Sequence, residues 1–316
     1  MRVVTAAEID ELLSFPDLVN ALRDAFAAGF VTPQRQHLEI GHGDDAATAL
    51  MMPCWTPDAP GPGAFLGTKL VNIFPSNGAR GMPAVLGTYV LMSGDTGAPL
   101  AAIDGTRLTH WRTAAASALA ASYLARPDAR RLTMVGTGAL APFLIRAHMS
   151  QRPIAEIAIW NHRPESARAL VDRLAQEGFA ARAEPDLESA VRWADIVSSA
   201  TLTREPLIHG AWLKPGTHLD LVGAFNRQMR EADDEAARRA ELFIDTEAAL
   251  TEGGDVTLAL QNGAVTREDV RATLLDLARG RHQGRSGDEA ITLFKSIGTA
   301  IEDLAAAMLV WRKIEA

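Results

Sequence analysis

Apolar residues fall at helical spacing near the start of the chain, at short extended spacing in the next stretch, and in alternating strand and helix lengths through the remainder. Residues 6–13 and 15–26 carry the helical period, and Thr5 with Glu8 has the form of a capping box at the first of them. From about Gln34 the apolar runs shorten and are punctuated by Gly and Pro. Residues 88–92 and 99–103 flank Ser93-Gly94-Asp95-Thr96-Gly97, which predicts a hairpin and antiparallel pairing in this part. A long helix is predicted over 106–124, stopped by Arg126-Pro127-Asp128. Beyond it, strands are predicted at 132–135, 157–160, 196–199, 219–222 and 242–244, with helices at 139–149 and 164–177. That alternation predicts an α/β fold, a doubly wound parallel sheet with helices on both faces. The last segment, 298–314, places Ile301, Leu304, Ala305, Met308 and Leu309 on one stripe of a helix.

Composition narrows the class of function. With 316 residues, 47% of them hydrophobic, the chain has material for about two domains. The change of texture puts their boundary near residue 112. Apolar stretches are broken well before the ~20 residues that span a bilayer, and the acidic N-terminus lacks a signal-peptide core. A formal net charge of −8 disfavours nucleic acid and anionic membrane as partners. The one cysteine, Cys54 beside Pro53, excludes an internal disulfide and fits a reducing, cytoplasmic setting, where it reads as a small buried hydrophobe. No metal site is expected.

The strongest chemical signal is Gly136-Thr137-Gly138-Ala139-Leu140-Ala141, which follows an apolar strand and opens a helix. In a dinucleotide-binding turn the first glycine permits the tight bend and the second admits the pyrophosphate to the backbone. The small closing residue, here Ala141, lets the helix pack on the strand. Free N–H groups at the helix start then face the anion. An ordinary glycine-rich turn shares these letters, but here strand, turn, helix and second strand are in register. The second strand ends at Trp160-Asn161-His162-Arg163, about 20 to 25 residues on, where the ribose is read. Asn161 is neutral where an NAD site favours a carboxylate, and His162 with Arg163 could meet a 2′-phosphate. NADP is therefore expected over NAD.

Several separated motifs, in order, resemble the ornithine cyclodeaminase/mu-crystallin family over nearly the whole chain. They are Gly67-Thr68-Lys69 with Phe74-Pro75-x-Asn77, Leu108-Thr109-x-x-Arg112-Thr113-Ala114-Ala115, and the Gly136 turn with Trp160-Asn161-His162-Arg163. Ala200-Thr201, Lys214-Pro215-Gly216-Thr217-His218 with Val222-Gly223-Ala224, and Lys295-Ser296-Ile297-Gly298 with Ile301-Glu302-Asp303-Leu304-Ala305 complete the series. The resemblance implies a substrate-binding and dimerisation domain of α+β type over 1–112, joined by the C-terminal helix 298–316, and a Rossmann domain over 113–297. It implies a homodimer and hydride transfer at the α-carbon of an amino or imino acid. Lys69 and Arg112 match family positions that hold the substrate carboxylate, with Arg35 as a third candidate. Chemically, a carboxylate suits a forked guanidinium beside a compact ammonium, and two such cations would draw in an anion despite the negative total charge. Thr113, Ala200, Thr201, Val222, Gly223 and Ser296 are the further cofactor-contact candidates.

Two departures from the family pattern bear on the reaction. Leu140 stands where members commonly carry Gln, which removes one polar contact from the phosphate turn. Cyclodeaminases carry Gly-x-Asp after the strand that ends near Val222, and that Asp activates water or the substrate amine. Here the matching residues are Gly223-Ala224-Phe225, with Asn226 next. Without that carboxylate, ammonia elimination loses its general base. The following Arg230-Glu231-Ala232-Asp233 resembles the mu-crystallin and imine-reductase branch. The expected activity is NAD(P)H-dependent reduction of a cyclic ketimine carboxylate. Ornithine cyclodeamination, an alanine-dehydrogenase-like reaction and a non-catalytic cofactor-bound protein are the alternatives.

Overall fold

A computed structural model describes residues 1–42 and 46–316. The chain divides into two compact units, Met1–Thr113 with Thr299–Ala316, and Ala114–Gly298.

The first unit is a six-stranded sheet covered by helices. Its strands are β1 (Arg2–Val4), β2 (Gln36–Ile40), β3 (Ala47–Trp55), β4 (Phe65–Ile73), β5 (Val85–Ser93) and β6 (Pro99–Asp104), in the order β1-β6-β5-β4-β3-β2. Pairing is antiparallel from β2 to β6, with the expected hairpin joining β5 and β6. β1 departs from the expected antiparallel texture by pairing with β6 in parallel; at three residues it is too short to carry a pattern. Helices α1 (Ala6–Leu12) and α2 (Phe15–Ala28) follow β1, and Thr5 and Glu8 form the capping box of α1. The C-terminal helix Ala300–Glu315 packs on α2 and on β3, β4 and β5. Period-two alternation sorts the sheet into two faces. Cys54, Gly67, Lys69, Val71, Tyr89 and Leu91 are buried, whereas Leu38, Met51, Leu70 and Leu86 of the intervening positions are exposed.

Helix α3 (Gly105–Leu124) carries the chain into the second unit, to which its residues from Ala114 onward belong. That unit contains β7 (Arg131–Val135), α4 (Ala141–Gln151), β8 (Glu156–Trp160), α5 (Pro164–Gln176), β9 (Ala181–Ala183), β10 (Ile196–Ser199) and β11 (His218–Leu221). β12 (Glu241–Ile244), β13 (Val270–Thr273) and β14 (Thr292–Lys295) complete a wholly parallel eight-stranded sheet. The order β13-β12-β14-β11-β10-β7-β8-β9 reverses its direction of growth between β7 and β10. In doubly wound sheets that reversal is where dinucleotides bind, beyond the carboxyl ends of the strands. This is the α/β Rossmann architecture the alternation predicts. Three strands, β9, β13 and β14, are not evident from the apolar pattern, and β14 inserts between β11 and β12. Helix α4 starts at Ala141 rather than at residue 139, because Ala139 and Leu140 are used by the turn. Among the described residues no helix is long and apolar enough to cross a membrane, and no cluster of potential metal ligands forms.

Candidate functional site

In the second unit, the turn after β7 is shaped by contact with its neighbours. Gly136 has φ 101°, in the region that favours glycine, and a Cβ there would lie 2.8 Å from the Ala200 carbonyl oxygen. Gly138 meets nothing within 4 Å, so space lies open against its backbone. Among the described residues, no acceptor takes the backbone N–H groups of Thr137, Gly138, Ala139 or Leu140. This open, donor-lined turn at the start of α4 fits a pyrophosphate. Asn161 ties the end of β8 to the same turn: its Nδ2 donates to Thr137 Oγ1 at 2.8 Å, while its Oδ1 accepts from the Arg163 N–H at 2.9 Å. His162 and Arg163 are exposed beside it. No carboxylate occupies the end of β8.

The loops after β10 and β11 continue the cradle. A Cβ on Gly223 would lie 2.1 Å from the Thr201 carbonyl oxygen, so the two loops touch and only glycine fits. Among the described residues, the large apolar side chains that this unit exposes are Leu202 (71%) and Phe225 (38%), and both stand on these loops. Exposed apolar groups beside open backbone donors make a binding edge. Ala200 and Thr201 follow β10 directly, and Val222 and Gly223 follow β11, at the carboxyl ends. Ser296, after β14, is buried and donates from Oγ to Asp245 Oδ2 at 3.2 Å. The same oxygen accepts from the Ile297 and Gly298 N–H groups, each at 2.7 Å. Asp245 thus sets the course of this loop, and Ser296 is one of the groups that donate to it.

Sequence reasoning missed the acidic residues that hold this edge. Glu231 is fully buried; its Oε1 accepts from Ser199 Oγ (2.6 Å), the Thr201 N–H (2.7 Å) and Thr201 Oγ1 (2.9 Å). Its Oε2 accepts from the N–H groups of Gly223 (2.6 Å) and Ala224 (3.3 Å). Asp255 Oδ1 accepts from the Glu231 and Ala232 N–H groups at 2.6 and 3.1 Å, and its Oδ2 lies 2.9 Å from Lys295 Nζ, itself buried. Burial pushes the Glu231 carboxyl up, and Lys295 opposes that rise.

In the first unit, the expected pair of cations is found together and buried. Lys69 (2% exposed) and Arg112 (6% exposed) converge on one carboxylate of the C-terminal helix. Lys69 Nζ lies 2.8 Å from both oxygens of Asp303, and Arg112 Nε donates to Asp303 Oδ1 at 3.0 Å. Arg112 Nη1 also donates to Glu302 Oε2 at 2.6 Å. Two positive charges therefore meet two negative ones. The set is balanced, because burying unpaired charges costs too much. Burial, and then the neighbouring Arg112, push the Lys69 ammonium down to about 8, against the pull of Asp303. Tyr89 lies across the register from Lys69, and a Cβ on Gly67 would sit 2.0 Å from its hydroxyl. Gly67 is thus what admits the phenol ring.

The remaining candidates are dispersed. Arg35 is half-buried in the segment leading into β2. Thr113 is buried in α3. Cys54 is sealed in β3, where burial raises its thiol far above the reactive range, as its sequence context suggested. A Ser-His-Asp grouping exists in the second unit, with Ser117 and Ser198 donating to Asp220 and His148 3.1 Å from it. All four are fully buried, so the grouping ties helices to the sheet rather than meeting a substrate.

The ornithine cyclodeaminase/mu-crystallin family model matches residues 1–316. The chain belongs to that family. It is 41% identical over 304 residues to a Δ1-pyrroline-2-carboxylate reductase of Paracoccus denitrificans, covering 95% of this chain and 93% of that one. Its fold matches the Thermococcus litoralis Δ1-pyrroline-2-carboxylate reductase solved with NADH and L-proline, with a TM-score of 0.93 at 31% identity, over 100% and 98% of the two chains. An archaeal alanine dehydrogenase dimer with bound NAD matches with a TM-score of 0.91 at 30% identity, over 100% and 96%.

Phe225 is 38% exposed on the binding edge and carries no titratable group. Asn226 is engaged in a local turn, its Oδ1 accepting from the Gln228 N–H at 3.0 Å. Neither can take a proton from a substrate amine at neutral pH.

Proposed function

We propose that this chain is an NAD(P)H-dependent reductase of a cyclic ketimine carboxylate, converting Δ1-pyrroline-2-carboxylate or Δ1-piperideine-2-carboxylate to L-proline or L-pipecolate. More broadly, it is a nicotinamide-dependent oxidoreductase of amino or imino acids, as are its relatives. The observation that carries the choice of reaction is Phe225 in the place of the cyclodeaminase carboxylate.

Bound nicotinamide supplies a hydride. What the chain supplies is placement. Lys69 and Arg112 hold the substrate carboxylate, which takes over a share of the bonds they make to Asp303 and Glu302. A held carboxylate fixes the adjacent imine carbon, the atom that accepts the hydride. The imine arrives protonated as an iminium, so the new C–H bond forms as the C=N π pair moves onto nitrogen. The product is a secondary amine, and no ammonia is released. The turn at Thr137–Leu140 and the loops around Thr201 and Gly223 hold the dinucleotide. Exposed Arg163, with no acid at the end of β8, favours NADPH on electrostatic grounds.

A homodimer accounts for the exposed apolar side chains Leu38, Met51, Leu70 and Leu86, which a second copy of the sheet would cover. The sealed thiol of Cys54 suits a reducing cytoplasm. Oxidation of NADPH or NADH by Δ1-pyrroline-2-carboxylate, measured beside ammonia release from ornithine, tests the reading. Imine-dependent oxidation without ammonia is expected. Proline and ammonia from ornithine, with no imine reduction, would overturn it, and amination of a linear 2-oxo acid alone would favour an alanine-dehydrogenase-like activity.

A further inference from the structure

We infer that Glu231 is a positioning residue for the dinucleotide, holding the loops after β10 and β11 in the conformation that receives it. The inference rests on the dinucleotide reading above and adds to it a residue that never touches the ligand. Glu231 stands near the far end of the loop after β11, eight residues beyond Gly223, and its single carboxylate accepts hydrogen bonds both from the start of that loop and from the loop after β10. Thr201 contributes its backbone and side chain, and Ser199 its hydroxyl; on the other side Gly223 and Ala224 contribute their backbone N–H groups. The loops have no room to slide, because Gly223 already touches the Thr201 backbone and Gly136 touches Ala200. A displacement at either loop would therefore pass to the phosphate turn.

Position and charge of the carboxylate are both specified. Its own backbone N–H is held by Asp255, which also faces Lys295 at the end of β14. The carboxyl ends of three neighbouring strands are thus linked through Glu231, Asp255 and Lys295, all buried. A carboxylate presents acceptors on both oxygens, and here every donor is fixed in place. An amide of the same shape would turn an NH2 group toward one loop or the other, setting donor against donor. Charge loss alone, with no change in volume, should then displace one of the loops that line the dinucleotide.

The test is the dissociation constant for NADPH and NADH in the full-length protein, read by nucleotide fluorescence, for the unaltered chain and for Glu231→Gln. Dinucleotide affinity is expected to fall about tenfold in a folded Glu231→Gln, with the imine KM at saturating dinucleotide moving less than twofold. Glu231→Asp, which keeps the charge but shortens the reach, should recover part of the loss. A folded Glu231→Gln that binds dinucleotide within twofold of the unaltered chain overturns the inference, and so does an equal loss in both ligands' parameters. Should Glu231→Gln not fold, the double variant Ser199→Ala/Thr201→Val decides. It removes two of the donors and should weaken dinucleotide binding at least threefold; unchanged binding overturns the inference. If the unaltered chain binds neither nucleotide, the dinucleotide reading itself fails and this inference fails with it.

Discussion

Two buried carboxylates, Asp303 of the first unit and Glu231 of the second, are held in opposite ways. In the first, Lys69 and Arg112 are matched one for one by Asp303 and Glu302, an ionic set whose members are all side chains. In the second, Glu231 is surrounded mainly by neutral donors, four of its five coming from Thr201 on one side and Gly223–Ala224 on the other. An ionic set can trade one partner for an incoming carboxylate, whereas a carboxylate saturated by backbone N–H groups can only hold its loops still. The first arrangement suits a site that meets a charged substrate. The second suits a scaffold that presents backbone to a nucleotide.

Removing a cation from the first unit should have the largest effect. Lys69→Met and Arg112→Met each leave two buried carboxylates facing a single cation, and breaking a buried pair costs about 3–5 kcal/mol. Denaturant unfolding should show a loss of about that size. Steady-state kinetics should show an imine KM raised about a hundredfold or more, roughly the 3 kcal/mol expected for a desolvated ionic contact, with dinucleotide affinity within twofold. If KM for the imine is unmoved, the carboxylate anchor lies elsewhere.

Gly223→Ala probes the second unit alone. Its Cβ would lie 2.1 Å from the Thr201 carbonyl, a backbone collision that flexible side chains cannot relieve. A stability loss of about 1–3 kcal/mol is expected by thermal or chemical unfolding, as for overpacking elsewhere. Dinucleotide affinity should fall with it. A fully stable Gly223→Ala with intact nucleotide binding would show that the loops are not in contact.

The pH response separates the units without mutation. Lys69, lowered by burial to about 8, loses its charge in the folded chain while an unfolded lysine still keeps it. Between about 8 and the ordinary lysine range the unfolded state binds more protons, so this group's contribution to stability rises with pH. Its contribution to anchoring has the opposite sign. The inhibition constant of a carboxylate with no titrating nitrogen, such as cyclopentanecarboxylate, should worsen up to roughly tenfold per unit above about 8. Lys69→Arg should flatten that profile, since guanidinium stays charged.

The smallest expected effect is on nucleotide choice. Asn161→Asp puts a carboxylate at the end of β8 and removes the amide donated to Thr137 Oγ1. The ratio of NADPH to NADH affinities should fall severalfold, about the 1 kcal/mol of one hydrogen bond near a phosphate. An unchanged ratio would place the discriminating residue outside the β8 end.

Much of the fold is legible in the amino-acid order alone, wherever local pattern and tertiary fate coincide. The turn at Gly136 is legible because glycine is demanded by backbone geometry, and α1 because Thr5 and Glu8 cap it within one turn. The β5–β6 hairpin is legible from alternation about a polar turn. β1 and β14 are not: three and four residues hold too little pattern, and β14 ends in a lysine that only the fold reveals as buried. Asp303 and Glu302 are hidden because the C-terminal helix reads as a single apolar stripe, whereas Ala300 to Met308 is buried all round. Glu231 and Asp255 are hidden for a related reason. Acidic residues in a charge-rich stretch look solvated, and their hydrogen-bond donors lie up to 32 residues away in the chain.

Isotope placement shows whether the hydride goes to the imine carbon. The full-length protein would be incubated with Δ1-pyrroline-2-carboxylate and NADPH or NADH deuterated at the transferable C4 position, and the proline analysed by mass spectrometry and NMR. One deuterium at the α-carbon, with no ammonia formed, is the predicted result. Proline carrying no deuterium, or no proline from the imine with either nucleotide, would contradict it.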